Sequence, residues 1–103
     1  MDLAEPIRFR SLGRVELLGL DVPAATNHRS RLLGLALLPC GRAGAGLLIP
    51  RCRSVHTFGM RFALDLLFLD AQGRVIELRR GVPPGRVIRC PGAMSVLELP
   101  SPG

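Results

Sequence analysis

Apolar residues occur along the chain in short bursts punctuated by glycine and proline, a pattern of strands and turns rather than of long helices. Residues 7–10 and 14–22 predict strands that frame a Ser11-Leu12-Gly13 turn; in the second, Val15, Leu17 and Gly19 share one side and Glu16, Leu18 and Leu20 the other. Pro23 ends the extended stretch, and Thr26 or Asn27 predicts the cap of a short helix reaching about residue 33, because a side-chain oxygen there accepts from an orphan amide. Gly34 stops or bends it, and three glycines within residues 39–46 predict a loop. Residues 46–50 read as a short buried strand. Seven of the eight residues 62–69 are apolar, which predicts a central strand covered on both faces. Asp70-Ala71-Gln72-Gly73 predicts a turn into a strand over residues 74–79, and a short piece at 86–89 and a final strand at 94–99 complete the chain. The expected fold is mainly β, a β-rich α+β arrangement with one short helix and a small curled antiparallel or mixed sheet or a barrel, closure into a barrel being the form that hides its edges.

A length of 103 residues predicts a single domain spanning residues 1–103, since two cores would each have too little interior. Hydrophobic residues at 48% and charged ones at 21% match a folded globular chain and exclude wholesale disorder. The net charge is +6, carried by 14 arginines and no lysine. In sequence these arginines are spread out, with Arg79-Arg80 the tight pair and no stacking platform among them, so nucleic acid is not an expected partner. A small anionic ligand fits better, because guanidinium forks match carboxylate and phosphate oxygens. Residues 1–10 carry Asp2, Glu5 and Pro6 and do not read as a signal peptide, and the longest apolar runs, 32–39 and 62–69, fall far short of the roughly 20 residues that cross a bilayer. A soluble cytoplasmic protein with no membrane partner is expected. Cys40, Cys52 and Cys90, odd in number and widely spaced, predict reduced thiols.

Asp65 interrupts the most apolar strand and alternation places it on the face shared by Ala63, Leu67 and Leu69. A buried carboxylate needs donors: backbone amides, which would make it a structural pin, or Arg31, Arg61 or His56, which would place it in a pocket. His56 and Thr57 lie in the polar segment 52–60. Cys52 as nucleophile with His56 as base gives an acyl-transfer reading, and Cys40, Cys52, His56 and Cys90 could make a Cys₃His zinc set. No nucleophile motif surrounds Cys52 and no CxxC knuckle is present, so neither a metal nor another cofactor is expected. His28 falls on the helix with no partner to give it a role. Phe9, Phe58, Phe62 and Phe68 read as core.

Arg31-Leu32-Leu33-Gly34-Leu35, Gly46-Leu47-Leu48-Ile49, the run from Ser54 through His56, Thr57, Met60 and Asp65 to Asp70, Gly73-Arg74-Val75 and Val96-Leu97-Glu98-Leu99-Pro100 together resemble the family called domain of unknown function 192, from about residue 12 to the end. The resemblance implies a small β-rich fold with one helix and no established reaction. Many relatives have Trp-Met-Lys-Asn-Thr where this chain has His56-Thr57-Phe58-Gly59-Met60, which sets the chain in a His-Thr-x-Gly-Met branch. Relatives also continue past the Leu-Glu-Leu-Pro strand, so truncation at Gly103, an open sheet edge and self-association through that edge are expected. The resulting functional expectation is a non-catalytic small-ligand or protein-binding module. Arg31, His56, Thr57, Met60 and Asp65 would converge on its site, Met60 supplying adaptable apolar contact. The alternative is a small hydrolase or transferase using Cys52 or His56 with Asp65.

Overall fold

The structure, a computed structural model, describes residues 13–25 and 46–102. The strand expected at 7–10, the helix from Thr26 or Asn27, Arg31, Cys40 and most of the glycine loop lie outside the described residues. The described residues form eight strands in order: β1 (Arg14–Leu17), β2 (Leu20–Pro23), β3 (Leu47–Pro50), β4 (Ser54–His56), β5 (Leu64–Leu69), β6 (Val75–Val82), β7 (Val87–Arg89) and β8 (Ser95–Pro100). The stretch predicted as one strand over 14–22 is a hairpin. Leu18 at φ 54° and Gly19 at φ 78° turn the chain between Leu17 and Leu20, the two-residue geometry whose twist matches that of its strands. Apolar alternation ran unbroken through the turn because Leu18 occupies a left-handed position that residues of its type seldom take.

Four strands form the central antiparallel sheet in the order β3-β8-β5-β6, flanked by two separate ribbons, β1-β2 and β4-β7. The fold is mainly β as expected, and of the two expected forms it takes the open antiparallel sheet, since none of these sheets closes into a barrel. Four strands are too few to curl round on themselves, and the edges β3 and β6 stay at opposite sides. Register assigns the two faces. Leu47, Glu98 and Leu66 lie in one row, and Ile49, Val96 and Phe68 in the next, so this face meets Val55, Met60, Cys90 and Ala93 in the larger apolar cluster. On the opposite face Leu48, Leu97 and Leu69 pack with Val22, supported by Val15, Leu17 and Leu20 of the β1-β2 hairpin. Two covered faces explain why β5 is almost wholly apolar: Leu64, Leu66 and Phe68 serve one cluster, and Leu67 and Leu69 the other.

The β5-β6 hairpin is held at its turn by Asp70, whose Oδ1 accepts from the amides of Gln72 and Arg74, both at 2.9 Å, while Oδ2 pairs with Arg74 Nε at 2.9 Å. At the other end the register jumps, with Leu64 opposite Val82 but Leu66 opposite Arg79. Arg80 and Gly81 therefore face the single residue Asp65 in a bulge, and Gly81 takes φ 61° there.

Candidate functional site

The β4-β7 ribbon extends beyond its three paired positions at both ends. The Cys52 amide donates to Met94 O at 3.1 Å, the Cys90 amide to Arg53 O at 2.8 Å and the Thr57 amide to Arg86 O at 2.8 Å. Residues 51–58 thus run antiparallel to 86–94. The polar composition that made 52–60 look like loop belongs to a ribbon wet on one side. Val55 and its partner Ile88 turn toward the core, whereas the pairs Ser54–Arg89 and His56–Val87 turn away from it.

Thr57 anchors one end of the ribbon. It is completely buried, and its Oγ1 donates to Pro83 O at 2.7 Å while accepting from the Arg86 amide at 2.8 Å. Its carbonyl accepts from the amides of Gly85 and Met60. The side chain is consumed in fastening the Pro83-Pro84-Gly85 turn to the ribbon, which a threonine can do because its hydroxyl both donates and accepts. Met60, buried, joins the larger apolar cluster. Between them the Thr57–Met60 turn, with Gly59 at φ 77°, projects Phe58 outward. The Phe58 ring, 53% exposed, stacks on His56 at a centroid distance of 5.5 Å, and the Phe58 amide donates to His56 Nδ1 at 3.2 Å. With Nδ1 accepting, the neutral imidazole carries its proton on Nε2.

Asp65 is 8% exposed and lies on the sheet face opposite Leu64 and Leu66, whereas Met60 packs with those two residues. Its Oδ1 accepts from the Gly81 amide at 2.9 Å. Among the described residues the carboxylate is bonded by the bulge, not by Arg61 or His56. The geometry brings His56, Thr57 and Met60 into one segment and leaves Asp65 across the sheet. Cys52 packs against the larger cluster and its thiol donates to Ser54 O at 3.2 Å, whereas His56 is on the outward side of β4. Among the described residues that arrangement aims the thiol proton at a carbonyl and not at an imidazole. Among the described residues no group of three or more His, Cys, Asp or Glu side chains could hold a metal ion. No described helix is long and apolar enough to cross a membrane.

The charge pattern changes once the ribbon is formed. Segments 51–64 and 78–97 contain no Asp or Glu, and pairing them gathers Arg51 and Arg53 on one strand with Arg86 and Arg89 on the other. Beside this run, Arg51, Arg53, Ala93 and Met94 line an open cleft of about 220 Å³. Arg53 and Arg89 are not apparent as a group from arginine spacing along the chain, Met94 carries no signal of its own, and Phe58, expected in the core, is instead exposed against His56. The two acid-free segments were the available signal. Sequence reasoning also overlooked Glu98, a second embedded carboxylate, 2% exposed, on the face that carries Leu47 and Leu66.

With this geometry in place, the profile of the DUF192 family, Uncharacterized ACR, matches residues 12–102. The chain belongs to the DUF192 family. No curated protein matches it significantly. Among solved structures, this DUF192 chain is similar to a protein from Sinorhizobium meliloti 1021 that bears the provisional name of transcription regulator. That likeness has a TM-score of 0.69 and 22% identity over 85% of this chain and 78% of the other. It is also similar to a protein of unknown function from Novosphingobium aromaticivorans DSM 12444, with a TM-score of 0.65 and 15% identity over 88% of this chain and 83% of that one. At these identities the likeness establishes a shared fold.

Proposed function

We propose that this DUF192 domain is a non-catalytic binding module that takes a small anionic ligand, carboxylate or phosphate in chemistry, along the β4-β7 ribbon. The observation that carries this reading is the gathering of Arg51, Arg53, Arg86 and Arg89 on a ribbon whose two segments hold no carboxylate, next to the cleft floored by Ala93 and Met94. Guanidinium groups bind such oxygens bidentately, and Met94 adds an adaptable apolar contact. His56, its ring set by the Phe58 amide, orients a polar group at the far end of the ribbon. Thr57 and Met60 act by fixing that end, and Asp65 by fixing β6. Assignment to a His-Thr-x-Gly-Met branch of the family rests on the same segment, whose buried threonine, turn glycine and core methionine each have a distinct structural task. The reading of Cys52 or His56 as catalytic draws no support from a thiol aimed at Ser54 O.

Titration of the ¹⁵N-labelled chain with inorganic phosphate and with citrate tests the proposal. Saturable shifts confined to amides of residues 51–58 and 86–94 are expected, with binding weakened about tenfold or more by Arg53→Ala combined with Arg89→Ala. Absence of saturation at millimolar anion overturns it. Tighter, steeply salt-dependent binding of a double-stranded oligonucleotide replaces the small ligand with nucleic acid.

A further inference from the structure

Among the described residues β6 is an outer strand of the central sheet, eight residues long and bonded to β5 on one side only. Its apolar side chains are exposed: Val75 is 43% exposed, Ile76 46% and Leu78 41%. Long, apolar, exposed edges template pairing with another strand, and proteins that avoid this blunt them with like charges or proline. No proline stands within β6, and its charges are of both signs, Glu77 and Arg79 flanking Leu78. In the isolated chain Glu77 and Arg79 bond to one another along the strand.

We infer that β6 pairs antiparallel with β6 of a second copy of this chain, about a two-fold axis passing through Leu78. Two identical antiparallel strands related by a two-fold axis normal to the sheet must pair so that the axis lies at a residue, and each choice fixes which charges meet. An axis at Glu77, Arg79 or Arg80 sets that charge directly against its own copy, which is unfavourable. With the axis at Leu78, the two leucines meet and each Glu77 faces Arg79 of the other copy, all within the stretch Glu77–Arg79 that pairs regularly with β5 between the strand's two register shifts. The two copies form one eight-stranded sheet, and the Glu77–Arg79 bond within each strand becomes a ring of four alternating charges. A different partner strand would have to supply the mirror order of one acid and one base around an apolar residue; a second copy carries it by construction.

The experiment is sedimentation equilibrium on the full chain with charge reversals at these two exposed positions. The wild type is expected to show a concentration-dependent dimer. Glu77→Arg and Arg79→Glu each turn two attractive pairs into two repulsive ones and are expected to weaken the dimer about tenfold or more. The double variant E77R with R79E restores opposite charges in the same register and is expected to return within about threefold of the wild type. Far-UV circular dichroism of the single variants checks that the sheet is intact. A wild type that stays monomeric at millimolar concentration overturns the inference, as does a dimer indifferent to the single reversals or not rescued by the double one.

Discussion

The two edges of the central sheet solve the same problem in opposite ways. At β3 the chain seals its own edge: Ala24 forms a parallel bridge to Leu48, and the Ala25 amide donates to Leu48 O at 2.7 Å. Leu47, Leu48 and Ile49 are all buried, and Pro50 ends the strand. At β6 the strand is twice as long, most of its residues are exposed, and among the described residues no strand pairs with its outer backbone. The difference is one of side-chain economy. Where the chain covers an edge it can place leucine and isoleucine there, whereas the uncovered edge intersperses charge with its apolar residues.

Substitutions can sharpen this contrast. The largest effect is expected next to β3, at Gly46, where φ is 137° and an added Cβ would sit 2.5 Å from Leu99 Cδ2 and 2.6 Å from Glu98 O. Neither the backbone angle nor the carbonyl can yield cheaply, so Gly46→Ala should cost about 3–5 kcal/mol in urea denaturation. A loss below about 1 kcal/mol would mean that the β3 edge is not tightly held. Intermediate effects belong to the bulge that shapes β6. Asp65→Ala strips the Gly81 amide of its acceptor and should cost about 1–3 kcal/mol, whereas Asp65→Asn keeps an acceptor oxygen and should cost less. Equal losses in the two variants would assign the effect to the charge. Smaller still, Leu78→Thr on the open edge should change monomer stability by about 0.5 kcal/mol or less, measured at concentrations where the chain is monomeric.

The smallest effect concerns pH at the β5-β6 turn. The bond from the Arg74 amide holds the Asp70 carboxyl below its ordinary value of 3.8, aided by the Gln72 amide and the Arg74 side chain and opposed by partial desolvation. A carboxyl depressed by folding contributes stability above the unfolded-state value and loses it as pH falls through the folded value. Asp70→Asn should therefore flatten the acid limb of the stability curve below about pH 4 and leave its slope near neutrality unchanged. An unchanged acid limb would show that the turn is held by its backbone alone.

How far the sequence anticipates this molecule follows from the range of the interactions involved. The β5-β6 hairpin was legible because a run of apolar residues, an acidic turn residue and Gly73 act within a few positions of one another. Residues 46–50 and 94–99 were likewise legible as strands, their apolar content being self-contained. The segment 52–60 was not, since Ser54 and His56 are strand residues only by virtue of Arg89 and Val87, more than thirty positions away. The arginine grouping was hidden for the same reason. Thr57 reads in the sequence as a residue that orients a ligand, whereas the partners its hydroxyl bonds, Pro83 and Arg86, exist only after the ribbon has folded. Asp65 had two readings, and a bulge set by register shift selects the amide of Gly81.

The position of β8 has one further consequence. This strand, late in the sequence, lies between β3 and β5, so those two strands have no direct contact to make in the sheet until Ser95–Pro100 arrives. During synthesis the ribosome must release residue 100 from its exit tunnel before the sheet can knit. Until then β3 and the β5-β6 hairpin wait as separate apolar surfaces, an interval in which a nascent-chain chaperone has the most to shield.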